Sequence, residues 1–343
     1  MPHAIFGTRI IAAPMAGGTS TPAYIQAVHN AGGLGFLAAG YKTVQGMAEE
    51  IQAARALGAR FGMNVFVPDR SQLNPPPAVR MQLEAYRSAL AADARRYRVK
   101  LPPLRLDDDD AWQAKIDALL EDPVELISFT FGLPGAGIVS ALKRAGSAVI
   151  ATVTGTAEAE MAAEQGIDAL VVQHSSAGGH NGAFLTAGSS GTSLTTAELV
   201  TEVRAAVGLP LIAAGGIMDA GAVKSILAAG AEAAQLGTAL LRTDESGARQ
   251  LHKDALADPA FTKTQLTRAF TGRRARALVN EFLRDHADAP EGYPAIHHLT
   301  APLRAAAAAA GDSERLNLWA GTGWQNSKAG PVAEVVSGIV SGL

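Results

Sequence analysis

Eight short, nearly continuous apolar runs alternate with Ala-rich helical stretches, which predicts an α/β protein built as a closed (β/α)8 (TIM) barrel. The strands are expected at 9–13, 35–38, 61–67, 126–131, 149–153, 169–173, 211–214 and 233–236. Helical stretches lie between them, among them 21–31, 43–57, 156–165, 196–207 and 220–229. Several stop on glycine, at Gly32, Gly58, Gly146, Gly166 and Gly230, the usual punctuation of a helix C-terminus. A doubly wound sheet shares the alternation, but eight units in this length favour closure.

The chain has 343 residues, and a barrel of this kind takes about 250, so roughly a quarter is left for additions. Two segments break the rhythm. Residues 68–110 hold three consecutive prolines, a basic helix around Arg95–Arg98 and the run Asp107–Asp110; they read as an insertion after the third strand, with the acidic run as a solvated loop. Residues 244–310 follow the eighth strand, look entirely helical and include six alanines at Ala305–Ala310. The expected organisation is therefore a barrel of residues 1–243 plus 312–343, with a small helical domain, 244–311, over its mouth. Residues 331–343 would return as a closing helix.

Hydrophobic residues make up 48% and charged residues 18%, a balance for a large buried interior rather than for disorder. The formal charge of −3 is thinly spread, so no nucleic-acid footprint is expected. The chain has no cysteine, which excludes disulfides, thiolate nucleophiles and cysteine-held metal centres, and suits a cytoplasmic setting. The first residues lack a basic stretch followed by an apolar one, and no run reaches about 18 apolar residues, so neither a signal peptide nor a membrane span is expected. No metal site is expected either.

Barrels of this type bind ligands at the C-terminal ends of their strands, and polar and glycine residues collect there. The first strand runs into Ala13-Pro14-Met15-Ala16-Gly17-Gly18, the seventh into Gly215-Gly216 and the eighth, carrying Gln235, into Gly237-Thr238. The last two loops are the recurrent phosphate site of the fold: glycine lets backbone N–H groups approach, and Thr238 adds a hydroxyl. A tight turn would also account for the glycines. Asn64 and Gln173 end apolar strands and each needs a partner; their amides suit the pyrimidine edge of a flavin, or tie two loops together. His180 stands in the glycine-rich loop Gly178-Gly179-His180-Asn181-Gly182 and has the near-neutral pKa of a proton-transfer group, although a loop histidine can also be structural. His174 shares that loop, and His297-His298, without ligand spacing, read as surface. Gly135-Ala136-Gly137-Ile138-Val139-Ser140 imitates a dinucleotide fingerprint, but Ser140 replaces its third glycine and no acidic residue follows at the ribose position; a βα turn explains it better.

These motifs resemble the nitronate monooxygenases over nearly the whole chain. Ala13–Pro22 looks like their opening motif, continued by Ala31–Gly35; Ser128–Gly132 resembles their fourth strand, and Ala177-Gly178-Gly179-His180 the loop of their catalytic histidine. Thr267–Arg273 resembles a motif of their class I helical domain, and Trp319-Ala320-Gly321 a C-terminal signature. The resemblance implies FMN, bound through Ala13, Met15, Asn64, Gln173, Gly178, Gly179, Gly215, Gly216, Gln235, Gly237 and Thr238, with His180 catalytic. It implies oxidation of an alkyl nitronate, or of a nitroalkane, by O2 to a carbonyl compound and nitrite. A small nitro compound and O2 are then the partners, and a homodimer is allowed. The family pattern places Gly, Glu and Arg where this chain has His174, Ser176 and Asn181, which bears on substrate identity. Three other readings compete: an FMN-dependent enoyl-acyl-carrier-protein reductase-like enzyme using NAD(P)H, a phosphate-binding barrel of another type, and a flavin-binding protein without turnover.

Overall fold

The computed structural model describes residues 5–185 and 194–343. Its centre is a closed parallel barrel of β1 (Ile10–Ala12), β2 (Leu34–Ala38), β3 (Phe61–Phe66), β4 (Leu126–Thr130), β5 (Ala148–Val153) and β6 (Ala169–Gln173), completed by two later strands. A two-residue strand, β7 (Gly179–His180), follows β6 but lies outside the barrel. The seventh and eighth staves are β8 (Leu211–Ala214) and β9 (Ala233–Leu236), and β9 returns to pair with Ile10, Ile11 and Ala12. Each expected barrel strand is present within one residue of its expected bounds.

Helices α1 (Pro22–Asn30) and α2 (Val44–Ala56) cover the first staves. The insertion supplies α3 (Pro77–Ala89) and α4 (Ala91–Arg96); the barrel's outer ring then resumes with α5 (Trp112–Glu121), α6 (Ala136–Arg144), α7 (Thr156–Glu164), α8 (Thr196–Ala206) and α9 (Ala220–Ala228). Thr21, Thr43, Thr195 and Asp219 cap their helices through side-chain oxygens, so these loop-to-helix junctions are written in the sequence. The five helix-ending glycines all have positive φ, as their position requires. The Gly135–Ser140 stretch turns from β4 into α6, as an ordinary βα turn. No helix among the described residues is long and apolar enough to cross a membrane.

Inside the barrel, side chains change character with height. The lower interior is an apolar plug containing Phe6, Ile11, Leu34, Phe36, Leu126, Ile150, Val171 and Ile212. Alternation along the same strands places Asn64, Ser128, Thr130, Thr152, Gln173 and Gln235 above it. The plug is closely fitted: a Cβ on Gly62 would stand 2.2 Å from a ring carbon of Phe36.

The remaining chain forms a second layer on the C-terminal side of the barrel. It contains α10 (Gln250–Ala255), β10 (Thr264–Thr267), β11 (Ala275–Leu278), α11 (Glu281–Asp285) and α12 (Ala295–Ala309), before α13 (Val332–Val340) returns to the barrel wall. The expectation of an entirely helical 244–310 segment is corrected by the β10–β11 hairpin, in which Thr267 faces Ala275. The residues that dominate this hairpin, Thr and alternating Ala, carry no long apolar period, so propensity gave no warning. Leu83, Tyr86 and Leu90 of the insertion share one core with Phe270, Phe282, Ile296 and Leu299, so the layer draws on both additions.

The acidic run is not wholly a solvated loop. Asp108 lies 2.6 Å from His298 Nε2, and Asp110 lies 2.8 Å from the fully buried Lys115 ammonium. His297 and His298 are correspondingly half-buried rather than on the surface, with His297 stacked on Tyr41 at 3.9 Å.

Gly62→Ala should destabilise the fold by about 1–3 kcal/mol, the usual cost of overpacking. Urea unfolding measures it, and Phe36→Leu in the same chain should recover part of the loss. Additive losses in the double variant would contradict this packing.

Candidate functional site

The floor of the barrel mouth is the polar layer just described. Asn64 Nδ2 donates to Ser128 Oγ at 2.9 Å, Thr130 Oγ1 at 3.0 Å and Ser128 O at 3.2 Å, leaving Oδ1 without a protein donor among the described residues. Gln173 Oε1 accepts from Gly182 N at 2.7 Å, while Nε2 donates to His180 O at 3.1 Å. Gln173 therefore ties down the His180 loop, and one lone pair and one N–H remain for a ligand. Gln235 Oε1 is buried with no partner, an acceptor whose donor is not supplied by the protein.

Beside this floor, four chain segments meet at backbone distance. A Cβ on Gly178 would stand 2.6 Å from Gly321 N, and one on Gly215 would stand 2.9 Å from His174 O and 3.0 Å from Ser176 Oγ. A Cβ on Gly216 would also meet Ser176 Oγ at 3.0 Å. Thr238 Oγ1 accepts from Gly321 N at 2.9 Å. The N–H groups of Gly178, Gly215, Gly216 and Gly237 have no protein acceptor among the described residues. Unspent N–H donors packed with two hydroxyls, where side chains would not fit, form a cradle suited to a phosphate. Ala13 and Met15 border it, but their N–H groups are spent on Leu236 O at 2.9 Å and Ser20 Oγ at 2.9 Å. Only their surfaces are free to contact a ligand.

His180 stands at the other edge of the mouth. Its Nε2 is 2.9 Å from Thr271 Oγ1, and its ring centroid lies 5.4 Å from Trp319, 5.7 Å from Phe131 and 5.8 Å from Tyr293. Burial, with help from Arg273 and Arg304, pushes its pKa down to about 3. The near-neutral value expected from sequence is thus corrected: the imidazole is held uncharged. Arg273 lies over the Phe131 ring at 4.0 Å and donates from Nε to Asn181 O at 3.3 Å and from Nη2 to Ala183 O. Arg304 donates to His297 O at 3.1 Å and to His297 Nδ1 at 3.3 Å. Neither guanidinium has a carboxylate partner among the described residues, and burial lowers the pKa of both, that of Arg304 to about 10. Both remain cations at neutral pH, so the pocket carries positive charge that Asp69 and Glu291 offset only from a distance at Arg273.

A family model described as nitronate monooxygenase matches residues 3–342. The chain belongs to the nitronate monooxygenase family. A probable nitronate monooxygenase of Staphylococcus aureus (strain Newman) is 36% identical over 339 residues, covering 97% of this chain and 93% of the relative. A solved nitroalkane oxidase from Streptomyces ansochromogenes is similar at 46% identity and a TM-score of 0.93, covering 99% of this chain and 96% of that one. FabK from Thermotoga maritima is similar at 25% identity and a TM-score of 0.74, covering 98% and 93%. The chain is therefore an oxidoreductase of this family on a (β/α)8 barrel.

The structure brings the sequence-derived residues to one mouth, in two groups: the cradle of Gly178, Gly215, Gly216, Gly237 and Thr238, and the floor of Asn64, Gln173 and Gln235. Gly179 serves differently, pairing with Arg276 in the ladder that carries His180. His174 bonds within its own loop instead, with Nδ1 2.8 Å from Ser176 Oγ. Sequence reasoning gave no site role to Ser176, Thr271, Arg273, Tyr293 or Arg304. Inward-facing Ser128, Thr130 and Thr152 on apolar strands were a readable period-two signal; the distant arginines were not.

Glu158 was missed too, and it fixes the far end of the His180 loop. Its 2% exposed carboxylate accepts from Thr154 N at 2.6 Å, Thr154 Oγ1 at 2.9 Å, Phe184 N at 2.7 Å and Leu185 N at 2.9 Å. Glu158→Gln puts an NH2 group where one oxygen accepts, and should lower stability by about 2–4 kcal/mol. Chemical denaturation tests this; an unchanged midpoint would show the loop is held otherwise.

Proposed function

We propose that this chain binds FMN at the barrel mouth and oxidises alkyl nitronates with O2 to a carbonyl compound and nitrite. The observation that carries the substrate reading is the pocket at His180: a neutral imidazole, an aromatic wall and two half-buried guanidiniums with no paired carboxylate among the described residues. Such a pocket lacks an anion, and a nitronate is a planar anion small enough to meet several donors at once.

The cradle of Gly178, Gly215, Gly216, Gly237, Thr238 and Ser176 would hold the FMN phosphate, and Asn64, Gln173 and Gln235 would meet the ring edge from below. Ala13, Met15 and Gly179 would flank it. When bound, FMN supplies electron acceptance and reactivity toward O2 that no side chain here possesses. The chain itself attracts the anion through Arg273 and Arg304, and excludes water with Phe131, Tyr293 and Trp319. Thr271 Oγ1 holds the His180 ring through Nε2, and in the Nδ1–H tautomer the other ring nitrogen would donate to a nitronate oxygen. Residues 244–311, together with the insertion, act as the substrate cover.

The depressed His180 pKa favours the preformed nitronate over a neutral nitroalkane. A general base works best with a pKa near the operating pH, and this imidazole is a weak acceptor until an anion offsets the guanidiniums. In the Streptomyces relative, named for nitroalkanes, the balance can differ.

Three outcomes are expected. Cofactor released by heat should have the mass of FMN; an adenine dinucleotide would contradict the phosphate reading. His180→Asn should keep flavin content and melting temperature, yet lower nitronate kcat/KM by about tenfold or more, the scale of one lost hydrogen bond to a charged group. Because the imidazole charges only near its lowered pKa of about 3, kcat/KM for a preformed nitronate should be level from about pH 5 to about pH 8. An acid limb near neutrality that disappears in His180→Asn would overturn the assignment of a neutral imidazole.

A further inference from the structure

Tyr41 occupies a backbone conformation that side chains avoid, with φ 67°, at the end of β2. Such strain persists only where the surroundings enforce it, and it gathers at functional sites. Here the enforcement is explicit. Asp110 Oδ1 accepts from Tyr41 N at 3.0 Å. Lys115, with a fully buried side chain, spends its ammonium on Asp110 Oδ2 at 2.8 Å and on Ala39 O at 3.0 Å. A buried ion pair thus grips the chain on both sides of residue 40, at a cost in desolvation that simple loop closure does not require. Phe131, at the end of β4, is likewise held at φ 78°, and it is a wall of the His180 pocket.

What the ion pair holds in place is a phenol with a proton to give. Tyr293 donates to Tyr41 Oη at 3.1 Å, which fills an acceptor position and leaves Tyr41's own proton without an acceptor among the described residues. Burial pushes this phenol up to about 12, so it is protonated at neutral pH. The ring is fixed by stacking on His297 at 3.9 Å and by an edge contact with Phe66 at 5.7 Å. Tyr293 neighbours both, 6.5 Å from the Tyr41 ring and 5.8 Å from that of His180.

We infer that Tyr41 is a second hydrogen-bond donor to the substrate's oxygens, beside His180, and that Asp110 and Lys115 are its positioning residues. The inference rests on the nitronate reading. A planar O–N–O group has two oxygens, and two donors around Tyr293 would fix its plane where one donor would let it swing.

The test is steady-state turnover of a preformed nitronate by the flavin-loaded Tyr41→Phe variant, with nitrate as a non-reacting planar anion titrated by calorimetry. Phenylalanine keeps the stack and the edge contact. KM and the nitrate Kd should each rise about tenfold, kcat should change by less than about threefold, and the melting temperature should hold. Lys115→Met should raise KM in the same direction, and the double variant should be no worse than Tyr41→Phe alone, because both act through one hydroxyl. Should Lys115→Met fail to fold, Asp110→Asn, which keeps an acceptor for Tyr41 N–H, takes its place in the cycle. KM and nitrate Kd within twofold of wild type in Tyr41→Phe would overturn the inference, as would additive losses in the double variant. If the unaltered protein turns over no nitronate, the proposed function fails, and the nitrate titration still decides the role of Tyr41.

Discussion

The site depends on a ladder of two residue pairs. His180 and Gly179 form a short strand that pairs with Ala275 and Arg276 of β11, so the loop from the barrel's sixth stave is completed by a hairpin more than ninety residues later in the chain. A barrel loop alone would leave the N–H and C=O groups of this segment to water, and its histidine without a fixed direction. The pairing satisfies both residues and aims the imidazole at Thr271, which the same connection supplies. Arg273 then closes on Asn181 and Ala183 from the other side. Barrel and second layer are thus joined through the very backbone that carries His180.

That junction also decides the electrostatics. Arg273 arrives with the hairpin connection and Arg304 with α12, and both stand half-buried beside a wall of aromatic rings. The protein tolerates the two cations because backbone carbonyls, and the Phe131 ring under Arg273, solvate them in part. The consequence is a histidine kept neutral and a pocket with an electrostatic deficit that an anionic ligand would fill. On the opposite rim, glycine backbone and the hydroxyls of Ser176 and Thr238 offer a second anion position, beside which Arg276 donates to Ser175 O at 2.8 Å. Two anion positions of different construction suit two different ligands, a phosphate held by backbone and a small anion held by side chains.

Much of this was legible in the sequence because it is local. Apolar strands, capping threonines and terminal glycines each act within a few residues, and so the eight staves emerge with their bounds. The cradle glycines were legible for the same reason: a glycine pair at a strand end marks close backbone approach wherever it occurs. The β10–β11 hairpin was not, because its strands are short, rich in threonine and alanine, and stabilised by pairing with β7, a contact across the chain. The burial of Asp108 and Asp110 escaped notice because a run of four aspartates reads as solvated until Lys115 and His298 are seen facing it. The low pKa of His180 is likewise a property of neighbours drawn from three separate segments, and no spacing encodes it.

The central claim is that the mouth accepts a nitronate anion next to a bound flavin, and the most direct measurement is the visible spectrum of the flavin-loaded protein without oxygen. Adding a preformed alkyl nitronate should bleach the oxidised flavin band, with nitrite and carbonyl product appearing once air is admitted, while NADH should leave the band unchanged over the same time. Rapid bleaching by NADH, with none by the nitronate, would contradict the account.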